Sequence, residues 1–287
     1  MRWERGRRSD NVVDAGGGAR GMRRGGRLSL TGVAIVVVVG LLMGQDPMQI
    51  LGQLLGQAGV SAPPAATRST QAPATSDPQR EFVRAILGST EDVWGQLLGK
   101  HYPQPKLVLF KGSVSSACGM ASSASGPFYC TADQQIYLDL DFFRELEQRF
   151  AAAGDFAQAY VIAHEVGHHV QTISGLTEKI QRARQQGRRL EGADGLLVRQ
   201  ELQADCLAGT WAFFAQQQLQ WLEPGDLEEA LTAANAIGDD RLQKQARGTV
   251  MPDAFTHGTS AQRVHWFRQG FDKGDPGRCN TFAAARL

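Results

Sequence analysis

Apolar positions recur along the chain with helical and extended periods, predicting many helices around a short sheet. Over 79–98, Phe82, Ile86, Val93 and Leu97 share one side of a helix. Residues 106–110, 127–130 and 135–140 are short runs of β type, the last two joined by a turn at 131–133. A helix is predicted over 141–152. Gly154 and Asp155 then open another that runs through Gln171 to about 174–175. A longer helix follows over 195–220, with shorter ones over 226–236, 239–246 and 259–271. Before residue 79 the pattern changes. Residues 28–44 carry no charged side chain, and 33–43 are almost entirely aliphatic. At about 1.5 Å per residue, that stretch reaches the short end of a bilayer span.

Charge sharpens that division. The 287 residues carry 30 basic and 29 acidic side chains, a formal net charge of +1, which excludes a basic nucleic-acid binder. With 21% charged and 42% hydrophobic residues, global disorder is excluded too. Yet residues 1–27 hold eight of the basic residues, all Arg, against Glu4, Asp10 and Asp14. Arg23, Arg24 and Arg27 directly precede the uncharged run. The positive-inside rule then predicts a basic cytoplasmic tail (1–27) and a transmembrane anchor (28–45). A Pro/Ala/Thr-rich linker (46–78) and one extracytoplasmic domain (79–287) follow. A cleaved signal peptide is the rival reading. The long region before the apolar run, and the lack of a small-residue cleavage site directly after Met43, favour an uncleaved anchor.

Within the domain, His164-Glu165-Val166-Gly167-His168 carries the clearest chemistry. On a helix, positions i and i+4 share a face, so both imidazoles reach one metal ion, and Glu165 can take a proton from water beside it. A third zinc ligand is needed. The class that places a His six residues on is excluded, because Ser174 stands there and Gln171 replaces the expected Gly. The class that takes a Glu from a later helix remains. At 100° per residue, Val198, Glu201, Leu202, Asp205, Ala208, Gly209 and Ala212 form one stripe, apolar or small apart from its two acids. Carboxylates on such a face need charged partners. Glu201 is therefore the expected third ligand of one Zn²⁺ per chain. Asp205 is the expected acceptor for a ligand histidine's other N–H. Small Gly167, Ala204, Ala208 and Gly209 would let the two helices approach closely. His169 points about 100° away and reads as a packing residue; His101 and His265 have no spacing argument.

These residues, with Gly126-Pro127-Phe128-Tyr129-Cys130, Gly238-Asp239-Asp240-Arg241 and Thr256-His257-Gly258-Thr259-Ser260, resemble the bacterial membrane-anchored neutral zinc metallopeptidase family, a gluzincin-type branch of the zincins. The match covers nearly the whole chain apart from the generic anchor and linker, and it includes Met1-Arg2-Trp3 and the segment 7–12. It implies an α+β, zincin-like fold: a small sheet on the HExxH helix, a second long helix carrying the Glu, and one transmembrane helix in front. It also implies a single-pass protein of the bacterial cytoplasmic membrane. His257 matches a histidine that stabilises the oxyanion in such enzymes, and Arg263 would brace a carboxylate.

Cys118, Cys130, Cys206 and Cys279 contain no C-x-x-C pair, which argues against a structural zinc knuckle. On an exported domain they would form disulfides. Of the three possible connectivities, Cys118–Cys130 with Cys206–Cys279 is favoured. The expected activity is peptide-bond hydrolysis on a peptide or protein substrate, with Glu165 as general base. The strand at 137–140 is the expected edge for an extended peptide. The alternatives are a tethered zinc-containing scaffold or adaptor without activity, or a zinc hydrolase of cell-wall amides.

Overall fold

A computed structural model describes residues 1–15, 77–122, 125–150 and 152–287. Strand β1 (Val12–Asp14) comes first, then helix α1 (Pro78–Leu98). Strands β2 (Lys106–Phe110), β3 (Ser113–Ser116), β4 (Gly119–Ser122), β5 (Phe128–Cys130) and β6 (Gln135–Asp139) follow. The rest is helical: α2 (Asp141–Phe150), α3 (Asp155–Ile173), α4 (Leu176–Gln185), α5 (Leu196–Leu219), α6 (Asp226–Ala236), α7 (Asp239–Arg247) and α8 (Ser260–Lys273). The main sheet has the order β1-β2-β6-β5, parallel except for the antiparallel β5–β6 pair, while β3 and β4 form a separate hairpin.

Among the described residues the architecture is α+β, with eight α-helices and a small sheet, and the correction to the expected fold concerns its transmembrane helix. Among the described residues no helix is long and apolar enough to cross a membrane. The expected anchor at 28–45 lies outside the described residues, as does nearly all of the expected linker.

The N-terminal residues are also placed differently from a free tail. Met1–Gly17 belongs to the same compact unit as Ser76–Leu287. Strand β1 pairs in parallel with β2, Val12 opposite Leu107. Trp3 meets Phe82 edge to face at 5.5 Å, and the Arg8 guanidinium lies 5.2 Å over the Trp3 ring. Glu91 on α1 is buried and gathers three donors from this segment: Arg7 Nη2 at 2.6 Å, Ser9 Oγ at 2.7 Å and Asn11 Nδ2 at 2.7 Å. Four of the arginines counted towards a basic tail, Arg2, Arg5, Arg7 and Arg8, therefore lie within the folded unit, and Arg2, Arg7 and Arg8 pair with Glu223, Glu91 and Glu81. A single crossing at 28–45 would part these residues from the domain they pack against.

The core lies between the sheet and α1, α3, α5 and α8. Helix α5 is buried nearly all round, with Leu202, Ala204, Cys206, Ala208, Trp211 and Ala212 each inaccessible. Close packing explains its small residues. A Cβ on Gly167 of α3 would stand 3.0 Å from Ala204 O, so that glycine sets the α3–α5 approach. Gly209 serves a different contact from the one expected: a Cβ there would collide with Phe267 O on α8. Both expected disulfides are present, Cys118–Cys130 and Cys206–Cys279, the latter tying α5 to the C-terminal segment.

Candidate metal centre

Helix α3 presents the motif because its start is well fixed. Gly154 turns the chain at φ 112°, and the Glu229 carboxylate accepts from Phe156 N at 3.1 Å, satisfying a first-turn N–H. Further along the helix, Tyr160, His164, Glu165 and His168 reach a cleft of about 580 Å³, where Glu201 of α5 meets them.

The imidazoles converge on Glu201. His164 Nε2 lies 3.2 Å from Glu201 Oε2, and His168 Nε2 lies 3.5 Å from Glu201 Oε1. Ligand atoms of a tetrahedral zinc site, each about 2.0–2.1 Å from the ion, are about 3.3 Å apart. These three side chains therefore have the donor chemistry and the spacing to hold one such ion.

The other ring nitrogens are already engaged. His164 Nδ1 lies 2.8 Å from Asp205 Oδ1, and His168 Nδ1 lies 2.9 Å from Gln171 Oε1. Each acceptor keeps a proton on Nδ1 and turns Nε2 toward Glu201, so that Nε2 is the nitrogen left to bind an ion once its own proton is displaced. Gln171 is itself held, donating from Nε2 to Gln200 O at 2.7 Å and Gln203 Oε1 at 3.1 Å. Asp205 is fully buried and well supplied with donors. Tyr160 OH donates to Oδ1 at 2.6 Å, and Arg263 donates from Nε to Oδ2 and from Nη2 to Oδ1, both at 2.9 Å.

Electrostatics follow from this packing. Burial opposes the carboxylate of Asp205, but Arg263 and His164 outweigh it and pull its pKa down to about 2. Burial likewise disfavours His164 as a cation, yet Asp205 and then Glu201 push its pKa up to about 10 without metal. His168 is raised by Glu201 against the same burial cost, and Glu201 is held well below the usual carboxylate range by the two histidines. The pocket favours positive charge between its carboxylates.

His257 lines the same cleft from the loop before α8. Its Nδ1 lies 3.2 Å from Asp239 Oδ1, while Asp239 Oδ2 accepts the backbone N–H groups of Thr256, His257 and Gly258. The hydrogen bond to Asp239 and the charge of Glu201 raise the His257 pKa against the partial desolvation of its half-exposed ring. The capping box of Thr259 and Gln262 then opens α8 and delivers Arg263 to Asp205. Arg263 thus braces the carboxylate under His164.

The structure gathers His164, Glu165, His168, Glu201 and His257 around one cleft, with Asp205 and Arg263 directly behind. Sequence reasoning missed Tyr160, Gln171 and Asp239 as partners of these side chains. Asp239 carries a signal, as an acid at the first position of a predicted helix; Tyr160, among apolar neighbours, carries none. The expected edge strand is also corrected. β6 is hydrogen-bonded on both sides, by β2 and β5, so the sheet edge beside the cleft is β5. His169 bridges to that edge: its Nε2 donates to Pro103 O at 2.6 Å, leaving Nδ1 to accept from Tyr129 OH at 3.1 Å.

Residues 1–282 match the family described as "Putative neutral zinc metallopeptidase", and the chain belongs to it. The uncharacterized protein YpfJ of Escherichia coli (strain K12) is 48% identical over 290 residues, covering 98% of this chain and 99% of its own. The uncharacterized protein Rv2575 of Mycobacterium tuberculosis (strain ATCC 25618 / H37Rv) is 42% identical over 268 residues, 86% of each chain. No solved structure matches.

Proposed function

We propose that this zinc metallopeptidase hydrolyses peptide bonds at the cleft between α3, α5 and β5, with His164, His168 and Glu201 holding a single zinc ion. The observation that carries this reading is the convergence of two Nε2 atoms on the Glu201 carboxylate at 3.2 and 3.5 Å, with both Nδ1 atoms engaged by acceptors.

Zinc held there supplies Lewis acidity, polarising a peptide carbonyl and lowering the pKa of water toward about 7. The side chains do the rest. Glu165, on the same helix face and in the cleft, takes the proton of the attacking water and hands it to the leaving amine. His257, oriented by Asp239, donates to the carbonyl oxygen as negative charge grows on it. The hydrogen bond to Asp239 favours the protonated ring. An extended peptide pairs along the edge of β5, where Phe128 and Tyr129 line the cleft.

Metal analysis together with cleavage of an unfolded protein substrate tests this. Glu165→Gln is expected to keep one zinc per chain and lose hydrolysis by at least about a hundredfold. Glu201→Ala is expected to lose the metal. Full activity in the first variant, or stoichiometric zinc in the second, refutes the assignment concerned.

A further inference from the structure

A second cavity, of about 460 Å³, lies one helical turn past His168, between α3, α4 and α5. Val170, Leu176, Ile180, Leu196, Leu207 and Phe282 give it apolar walls. Two cations, Lys179 and Arg188, also line it. Both are exposed, and among the described residues no hydrogen bond or ion pair engages either side-chain charge. Gln171 lines this cavity and not the cleft, while its Oε1 accepts from His168 Nδ1 at 2.9 Å.

We propose that this cavity binds an amphiphilic carboxylate of the fatty-acid type, its acyl chain along the apolar walls and its carboxylate at Lys179 and Arg188. The volume is within the range that encloses a small organic ligand, and such sites join apolar walls to a few placed polar groups. The charge selects the head group. Two unpaired cations beside an apolar hollow favour an anion, leave a neutral amphiphile without its best partner, and repel an ammonium. The site is separate from the cleft, so the proposal stands whether or not the catalytic reading does.

Calorimetric titration of the full chain with dodecanoate, kept below its micelle concentration, is the test. One saturable site is expected, and dodecyltrimethylammonium is expected to give none. Lys179→Gln with Arg188→Gln is expected to weaken dodecanoate binding about three- to tenfold, as for two exposed ion pairs. Ser174→Trp is expected to abolish it. Ser174 is an exposed lining residue whose hydroxyl only returns to Val170 O, so the indole plugs the mouth without unpacking the core. Absent saturation, equal affinity for the ammonium amphiphile, or parental affinity in either folded variant overturns the proposal.

Discussion

Replacing Ser9 by Ala distinguishes a folded N-terminal strap from a free tail. Ser9 is fully buried; its Oγ donates to Glu91 Oε1 at 2.7 Å and accepts from Asn11 N at 3.0 Å. Glu91 is 1% exposed, so water cannot easily replace the lost donor. A hydrogen bond to a buried charge contributes about 1.5–3 kcal/mol, and Asn11 N would lose its acceptor as well. Ser9→Ala should therefore cost about 2–3 kcal/mol, whereas a serine on a solvated tail would change stability by no more than about 0.5 kcal/mol. With a urea slope near about 3 kcal/mol/M for a domain of this size, the midpoint should fall by about 0.7–1 M at unchanged slope. Arg7→Ala should cost less, although its bond to Glu91 is shorter at 2.6 Å, because Arg7 is 45% exposed and water can take its place. Urea unfolding of the full chain, followed by tryptophan emission, measures both. A Ser9→Ala midpoint within 0.1–0.2 M of the parent's, roughly 0.5 kcal/mol, would refute the packing of this strap.

Three further outcomes follow from the same geometry. Asp205→Asn should destabilise by about 3–5 kcal/mol by leaving the buried Arg263 cation uncompensated, while Asp205→Leu with Arg263→Met should recover most of that loss; additive costs in a denaturation cycle would show that the pair does not interact. In the metal-free protein the His164 pKa, raised from 6.5 to about 10, adds stability that is complete below pH 6.5 and lost as pH rises toward 10. Urea midpoints of the chelator-treated protein should fall across that window, and those of the zinc-loaded protein should not; a flat metal-free profile would contradict the charge attributed to His164. Cys206–Cys279 closes 73 residues and Cys118–Cys130 only 12, so chain entropy gives about 4 and about 3 kcal/mol respectively. Paired Cys→Ala variants measured without reductant should rank in that order.

What the sequence reveals depends on how far apart the interacting residues lie along it. His164, Glu165 and His168 are legible because four residues on a helix are one turn, a purely local rule. Glu201 and Asp205 become legible once the face of α5 is drawn, since two acids on an apolar stripe require partners. The partners themselves do not. Tyr160 looks like any aromatic on a buried face until its hydroxyl is seen at Asp205, 45 residues on. The arginines near the N-terminus look like a charge run because Glu81 and Glu91 are more than 70 residues away. The strand order fails for a related reason: β2 is inserted beside β6 by a parallel connection, and chain adjacency does not show which strand is left at the edge. β3 and β4 are Ser- and Gly-rich and carry little apolar signal. Helix α4 did carry one, with Leu176, Ile180 and Ala183 at helical spacing in an otherwise polar segment.

The trio of Tyr160, Asp205 and Arg263 is hard to explain by stability alone. A buried ion pair gives back little more than its desolvation cost, and apolar side chains of similar size often do as well. Here three helices, α3, α5 and α8, each commit one buried polar side chain to a point directly behind His164. An apolar replacement would pack, but it would leave the imidazole free to rotate and to exchange tautomers. Asp205 prevents both by accepting from Nδ1, and Arg263 and Tyr160 hold Asp205 ionised and in place. A zinc ligand must be positioned to within about 0.5 Å. Three elements converging on one carboxylate can hold that tolerance better than a loop. The same logic recurs at His168 through Gln171 and at His257 through Asp239, so each histidine facing the cleft is oriented by a side chain that is itself fixed by other bonds.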